Sequence, residues 1–163
     1  MRIEMMSEGD LELRVRLETD PSVMAELGGP RPEEDIARAH ARALISAAAG
    51  ECWPFKVIPD DSTFPAGWVT IFASSFDAEP IYEMGWMVLP EFQGRGIASE
   101  AVGAILERAR KERKFGDVHA FPGVTNAPSN RVCAKNGFAD VGECEVEFAG
   151  HTLRCNHWRV DVF

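Results

Sequence analysis

At 163 residues, 45% of them hydrophobic and 26% charged, the chain has the composition of an ordinary soluble globular protein and the length for one domain, residues 1–163, with its own core. A net charge of −9 argues against a nucleic-acid partner, which would need a basic face, and no apolar run approaches the roughly 20 residues of a membrane span. The N-terminus lacks the apolar centre of a secretion signal, and four cysteines without CxxC or zinc spacing fit free thiols, so a cytoplasmic protein without a metal site is expected.

Met1 to Met6 is a short apolar segment, expected as an edge strand. Ser7-Glu8-Gly9-Asp10 has the form of a helix cap, with an acid three residues after a serine. Leu11, Leu13, Val15 and Leu17 then alternate as in a strand, whereas the cap and Pro21 at the far end favour a helix, which is the expectation. Gly28-Gly29-Pro30 breaks the chain. Pro32 at a first helical position, followed by Glu33, Glu34 and Asp35, opens a second helix that runs through Ile36, Ala39, Ala43 and Leu44 to a stop at Gly50. Trp53 to Ile58 and Gly67 to Phe72 are predicted strands around the turn Pro59-Asp60-Asp61-Ser62. With the apolar strand Ile81 to Leu89 they make an antiparallel meander, because the loops are too short for crossover helices.

Pro90 ends that central strand, since proline cannot donate to a ladder. Gln93-Gly94-Arg95-Gly96-Ile97-Ala98 follows, and then a long amphipathic helix with Ile97, Ala101, Val102, Ile105, Leu106 and Ala109 on one face. A helix start carries unpaired N–H groups and the positive end of the macrodipole, which suits it to bind phosphate. Gly94 and Gly96 remove the side chains that would hold a ligand off that backbone. Asp117 to Phe121 is a short strand, parallel to the central one through a right-handed crossover. Asn126 to Lys135 is a compact helix ending at Asn136-Gly137, and Gly142 to Phe148 with Leu153 to Val162 form a hairpin around Ala149-Gly150. The expected fold class is α/β (α+β): a mixed, mostly antiparallel sheet of about six to seven strands, with helices on both faces and one parallel pair near the middle.

Two stretches resemble one family. Val88-Leu89-Pro90-Glu91-Phe92-Gln93-Gly94-Arg95-Gly96-Ile97-Ala98 resembles the acetyl-CoA-binding signature of the GNAT superfamily of N-acetyltransferases. That signature is Gln or Arg, two residues, Gly, one residue, then Gly or Ala, after a strand ending Val-x-Pro. Asn126 to Phe138 resembles the second family motif, which runs from Asn to Gly-Phe. The early Ser129 in that motif, and Glu83-Met84-Gly85-Trp86 before the loop, resemble the ribosomal-protein N-terminal (RimJ/RimL-type) branch. The order of elements agrees with the family from Met1 to Phe163.

The resemblance implies acetyl-CoA as cosubstrate, no metal, and direct acetyl transfer to a primary amine, either a small molecule or a peptide N-terminus. A homodimer is compatible with it. The pyrophosphate is expected on Gly94, Arg95, Gly96, Ile97, Ala98 and Ser99, with Gln93 and Arg95 bordering. The pantetheine arm is expected along the edge of Trp86, Met87 and Val88, facing Val118 to Ala120, with Asn126 and Asn130 across the cleft. A backbone N–H near Met87 or Val88 is expected to hold the oxyanion. Many members carry a tyrosine as general acid where this chain has Cys133, so Ser129 is expected to serve the thiolate and Glu83 to act as base.

Each assignment has a plainer rival. Glu83 reads equally as a solvated strand residue, Ser129 as a helix cap, and Cys133 as a small buried hydrophobe. A dinucleotide-binding loop is disfavoured by Ser99, which stands where the third glycine of G-x-G-x-x-G belongs. His40, His119, His151 and His157 show no metal spacing; His119 lies beside the expected cleft and is expected to be structural. Cys144 and Cys155 can face each other across the final hairpin and are expected to be reduced. The missing tyrosine leaves a non-catalytic acyl-CoA-binding module as the alternative of a different class. Among enzymes, an open groove favours a peptide acceptor and a closed acidic pocket a polyamine.

Overall fold

A computed structural model describes all residues, Met1 to Phe163. Seven strands form one sheet in the order β1-β2-β3-β4-β5-β7-β6: β1 Arg2–Met5, β2 Cys52–Ile58, β3 Gly67–Phe76, β4 Glu79–Val88, β5 Asp117–Ala120, β6 Ala139–Phe148 and β7 His151–Asp161. Four helices accompany them: α1 Leu11–Glu18, α2 Glu33–Ala48, α3 Ile97–Glu112 and α4 Ala127–Lys135. Only β4 and β5 pair in parallel. None of the helices is long and apolar enough to cross a membrane.

The first helix forms despite its alternating pattern. Ser7 and Asp10 close a capping box, in which Ser7 N–H donates to Asp10 Oδ2 at 2.8 Å, and Lys56 Nζ adds a bond to Asp10 Oδ1 at 3.0 Å. Pro32 sits one residue earlier than expected, extended at φ −61° and ψ 138°, and the helix opens at Glu33. The expectation of a strand from Trp53 holds even though β2 carries Pro54 inside it. Met6 N–H donates to Pro54 O at 2.8 Å, so Pro54 turns its donor-less nitrogen toward the chain just past the end of β1, where the ladder stops.

The two faces of the sheet are covered separately. Ala101, Val102, Ile105, Leu106 and Ala109 of α3 are buried against Val69, Ile71, Met84 and Val118. On the opposite face Leu13 and Leu17 of α1 pack with Met6 and Leu89 against Trp68 and Met87. Behind them Glu18, 1% exposed, accepts from Arg14 Nε at 2.8 Å and from a terminal nitrogen of Arg31 at 2.6 Å, which ties α1 to the chain before α2. Ile105 is 1% exposed, so Ile105→Ala is expected to lower stability by about 2–5 kcal/mol in a denaturant titration; a loss below about 0.5 kcal/mol, typical of a surface site, would contradict the packing of α3.

The parallel pair positions everything that follows. β4 and β5 are in register only at Tyr82 with Val118 and Glu83 with His119, and beyond that they diverge. The open edge of Trp86 to Val88 therefore does not face Val118 to Ala120, as expected from sequence, but the chain four residues further on, after β5 has ended. The length of the pairing depends on where each strand bends, and residue types within β4 and β5 carry no mark of it.

Candidate active site

The turn from β4 into α3 is shaped by two glycines. Gly94 and Gly96 have φ of +74° and +76°, a region other residues rarely adopt, and a Cβ at either would meet nothing within 4 Å. They keep the backbone bare toward open space. Gln93 folds back, its Nε2 donating to Val88 O at 2.9 Å. Gln93 N–H closes on Pro90 O at 3.2 Å, and the next bonded amide is Glu100, to Gly96 O at 3.0 Å. The N–H groups of residues 94 to 99 between them have no partner within the protein. Six successive free donors at the positive end of a 16-residue helix form a cradle for a polyanion.

The exposed edge of β4 has a defined polarity. Leu89 N–H donates to Ala66 O at 2.8 Å, and the register pairs Met87 with Trp68 and Gly85 with Thr70. Bonding alternates along an antiparallel ladder, so Gly85, Met87 and Leu89 bond to β3. Trp86 and Val88 turn their backbone groups the other way, into the gap. Of the two N–H groups considered from sequence, that of Val88 faces the cleft. Gly67 holds the other side of β4, because a Cβ there would collide with Met87 O and the Val88 backbone.

The gap is a cleft of about 850 Å³ between β4 and α4. It is lined by the turn residues Gln93, Gly94, Gly96, Ile97, Ala98 and Ser99, by Trp86, Met87 and Val88, and by Asn126 and Ser129 of α4's start. Its cations are Arg131 and Lys135, and its acids are Glu26 and Glu83. Arg131 and Lys135 lie on α4, Glu83 lies on β4 beside Phe72, and Glu26 lies in the loop between α1 and α2.

Comparison with known proteins agrees with this geometry. Residues 1–139 match the model of the acetyltransferase (GNAT) domain. The chain belongs to the GNAT acetyltransferase family. It is 33% identical over 112 residues to the uncharacterized N-acetyltransferase YnaD of Bacillus subtilis (strain 168), a match covering 68% of this chain and 65% of that protein, so the chain spans just under two thirds of that curated relative's length. RimL, a ribosomal L7/L12 alpha-N-protein acetyltransferase in complex with coenzyme A, has the same fold, with a TM-score of 0.80, 16% identity, and 98% of this chain and 92% of that one covered. A spermidine N-acetyltransferase SpeG chimera from Vibrio cholerae and hSSAT superposes with a TM-score of 0.78 at 16% identity over 99% and 95% of the two chains. GNAT enzymes use acetyl-CoA, and the free N–H run at 94 to 99 is a donor set suited to its pyrophosphate.

Within this member of the family the sequence-derived residues separate into groups. Glu83 lies at the last paired rung of β4 and β5, where burial pushes its carboxyl above the ordinary range while the Ser74 hydroxyl on β3 works in the other direction. Ser129 lines the cleft; its N–H donates to Asn126 Oδ1 at 3.3 Å, which makes Asn126 the cap of α4. Cys133 is fully buried behind the cleft among the core residues, and burial pushes its thiol up to about 12. Cys133 is thus a small residue of the buried core.

Two expected ligands are engaged elsewhere. Arg95 turns out of the cleft and grips Asp61 through two bonds of 2.8 and 2.9 Å. Asn130 donates to Gly123 O and Asn126 O at 2.9 and 2.8 Å, and accepts from Asn156 Nδ2 and Trp158 Nε1, both at 2.9 Å. It knots α4, β7 and the loop after β5 together, which fixes the far wall of the cleft.

Sequence reasoning missed the roof. Thr125 Oγ1 donates to Glu26 Oε2 at 2.8 Å, Arg31 lies over the Phe148 ring at 5.6 Å, and His151 packs on Gly28. These contacts join the α1–α2 loop, which carries Glu26, to the C-terminal half over the cleft. The break Gly28-Gly29-Pro30 marked the loop, but nothing local in the sequence marks its partners.

Proposed function

We propose that the protein transfers the acetyl group of acetyl-CoA to a primary amine by direct attack, with Glu83 as general base and Ser129 serving the leaving thiolate. The run of free N–H groups at 94 to 99, opening into the cleft between β4 and α4, carries this reading. The pyrophosphate rests on that run, and the pantetheine arm lies along Trp86 to Val88 as an added strand would. The Val88 N–H points into the gap, where a thioester carbonyl gains negative charge during attack.

The amine reaches the thioester past Glu26 and Glu83. An alkylamine has a pKa near 10 and arrives as an ammonium, which the carboxylates Glu26 and Glu83 attract. Glu83 removes one proton, the nitrogen lone pair attacks the carbonyl carbon, and the C–S bond breaks. The thiolate takes a second proton, delivered by the Ser129 hydroxyl or by water. Ser129→Ala is expected to lower kcat only about tenfold, because water also protonates a thiolate whose conjugate acid has a pKa near 8.5. Cys133→Ala is expected to leave kcat unchanged; a dead Cys133→Ala enzyme with intact CoA binding would reverse these roles.

A panel of polyamines, aminoglycosides and N-terminal peptides, read by release of the CoA thiol from acetyl-CoA, tests the activity. Thiol release that depends on one of these amines, with the acetylated amine found in equal amount, is the expected result. Binding of CoA without amine-dependent release would make the protein an acyl-CoA-binding module.

A further inference from the structure

A second cavity, of about 520 Å³, is lined by Phe76, Asp77, Cys144, Arg154 and His157 among others. Between it and the main cleft stands a pair of imidazoles. His119 Nδ1 lies 2.7 Å from His157 Nε2, a hydrogen-bond distance, so one of these two nitrogens carries the hydrogen and the other accepts it. The pair is caged by aromatic rings. Phe121, which lines the main cleft, is stacked on His157 at 4.8 Å, and Phe76, which lines the second cavity, lies 4.8 Å from the same ring.

The two outer nitrogens, His119 Nε2 and His157 Nδ1, have no hydrogen-bond partner in the protein, yet neither is fully buried. Each keeps an opening. On the side of the main cleft the neighbour is Glu83, the register partner of His119 across the parallel pair. Adjacent strands lie about 4.8 Å apart with paired side chains on one face, a spacing that one bridging water closes. Glu83, His119 and His157 thus stand in a row across β4, β5 and β7, with Glu83 lining the main cleft and His157 the second cavity.

We propose that His119 and His157 are proton-relay residues, which carry the proton taken up by Glu83 out to the second cavity. The inference rests on the reading of Glu83 as base. Acetylation of an ammonium releases two protons from nitrogen. One ends on the CoA thiol, and the other must leave the site while cosubstrate and acceptor fill the cleft. Protonated Glu83 gives its proton to His119 Nε2. His119 gives up the hydrogen on Nδ1 to His157 Nε2, and His157 releases the one on Nδ1 to water in the second cavity. No bond to carbon and no electron changes hands, and both rings recover their starting tautomers by exchange with water.

The surroundings suit a neutral pair. Burial holds both imidazoles below their ordinary range, and the Arg159 guanidinium, ion-paired with Asp117, acts in the same direction. Asp77 opposes this at His157 and Asp117 at His119, while burial holds the thiols of Cys144 on β6 and Cys155 on β7 protonated. Neutral imidazoles with one free nitrogen each can accept and pass a proton at neutral pH; imidazolium ions could not.

His157→Gln and His119→Gln are the variants, assayed with the best amine at low buffer concentration and again with added imidazole. Each is expected to lower kcat about tenfold with KM for acetyl-CoA unchanged, and imidazole is expected to restore most of the loss. Wild-type kcat is expected to be independent of imidazole concentration, a measurement that needs no variant to fold. Wild-type dependence on imidazole, variants with wild-type kcat, or a loss that imidazole does not relieve would each overturn the relay. If Glu83→Gln is slow while His157→Gln is normal, the relay fails and the base stands; if Glu83→Gln is fully active, the base itself fails.

Discussion

Gly96→Glu is expected to abolish the rise in Tm that CoA gives the wild-type protein. A ligand that binds only the native state stabilises it by about 2.7 kcal/mol at one hundred times its Kd. The Cβ of residue 96 would point into open space at the mouth of the N–H cradle, so the glutamate places a carboxylate where the pyrophosphate charge belongs. The substitution also strains the backbone, because φ at this position is +76°. Gly96→Ala carries the strain without the charge and separates the two effects. It is expected to lose some stability but retain a CoA-induced shift. Thermal unfolding across a CoA titration measures both, and a folded Gly96→Glu protein with a wild-type shift would show that the pyrophosphate lies elsewhere.

Glu83→Gln is expected to lower the rate at neutral pH by about two orders of magnitude, within the 10²–10⁴-fold usual for loss of a general base. Partial recovery is expected at high pH, where free amine is plentiful. The same substitution is expected to raise stability. Burial raises the Glu83 pKa in the folded chain, so the folded state favours the protonated form. That preference contributes stability below the unfolded pKa and is lost as pH rises through the folded one. Above that range the wild-type protein carries a poorly solvated carboxylate, which glutamine removes. Glu83→Gln is thus expected to unfold at a higher Tm than wild type at pH 8, with the difference shrinking toward pH 4. A solvated surface carboxylate would change neither rate nor Tm.

The parts of the molecule legible from sequence were those set by local rules. The buried stripe of α3 follows from helical spacing, and all six of its apolar positions are buried. The need for bare backbone at Gly94 and Gly96 follows from their residue type, and the positive φ of both agrees with it. The final hairpin, with Cys144 directly opposite Cys155, follows from its turn residues. What could not be read depends on distant partners. Arg95 borders the anion cradle in sequence, yet Asp61, in a loop between β2 and β3, draws it away. Asn130 has the residue type of a cosubstrate ligand, but Trp158 and Asn156 occupy its carbonyl oxygen. The hydrogen bond of His119 could not be read because its partner, His157, is 38 positions later.

The most direct measurement is amide hydrogen exchange with and without CoA. The six N–H groups from Gly94 to Ser99 have no partner in the protein and are expected to exchange rapidly without ligand. With saturating CoA, exchange in that segment is expected to slow markedly, together with Trp86 and Val88 on the open edge of β4, while the remote amides of α2 keep their rates. CoA binding that leaves residues 94 to 99 exchanging as before would contradict the placement of acetyl-CoA on this cradle, and with it the catalytic arrangement built on that placement.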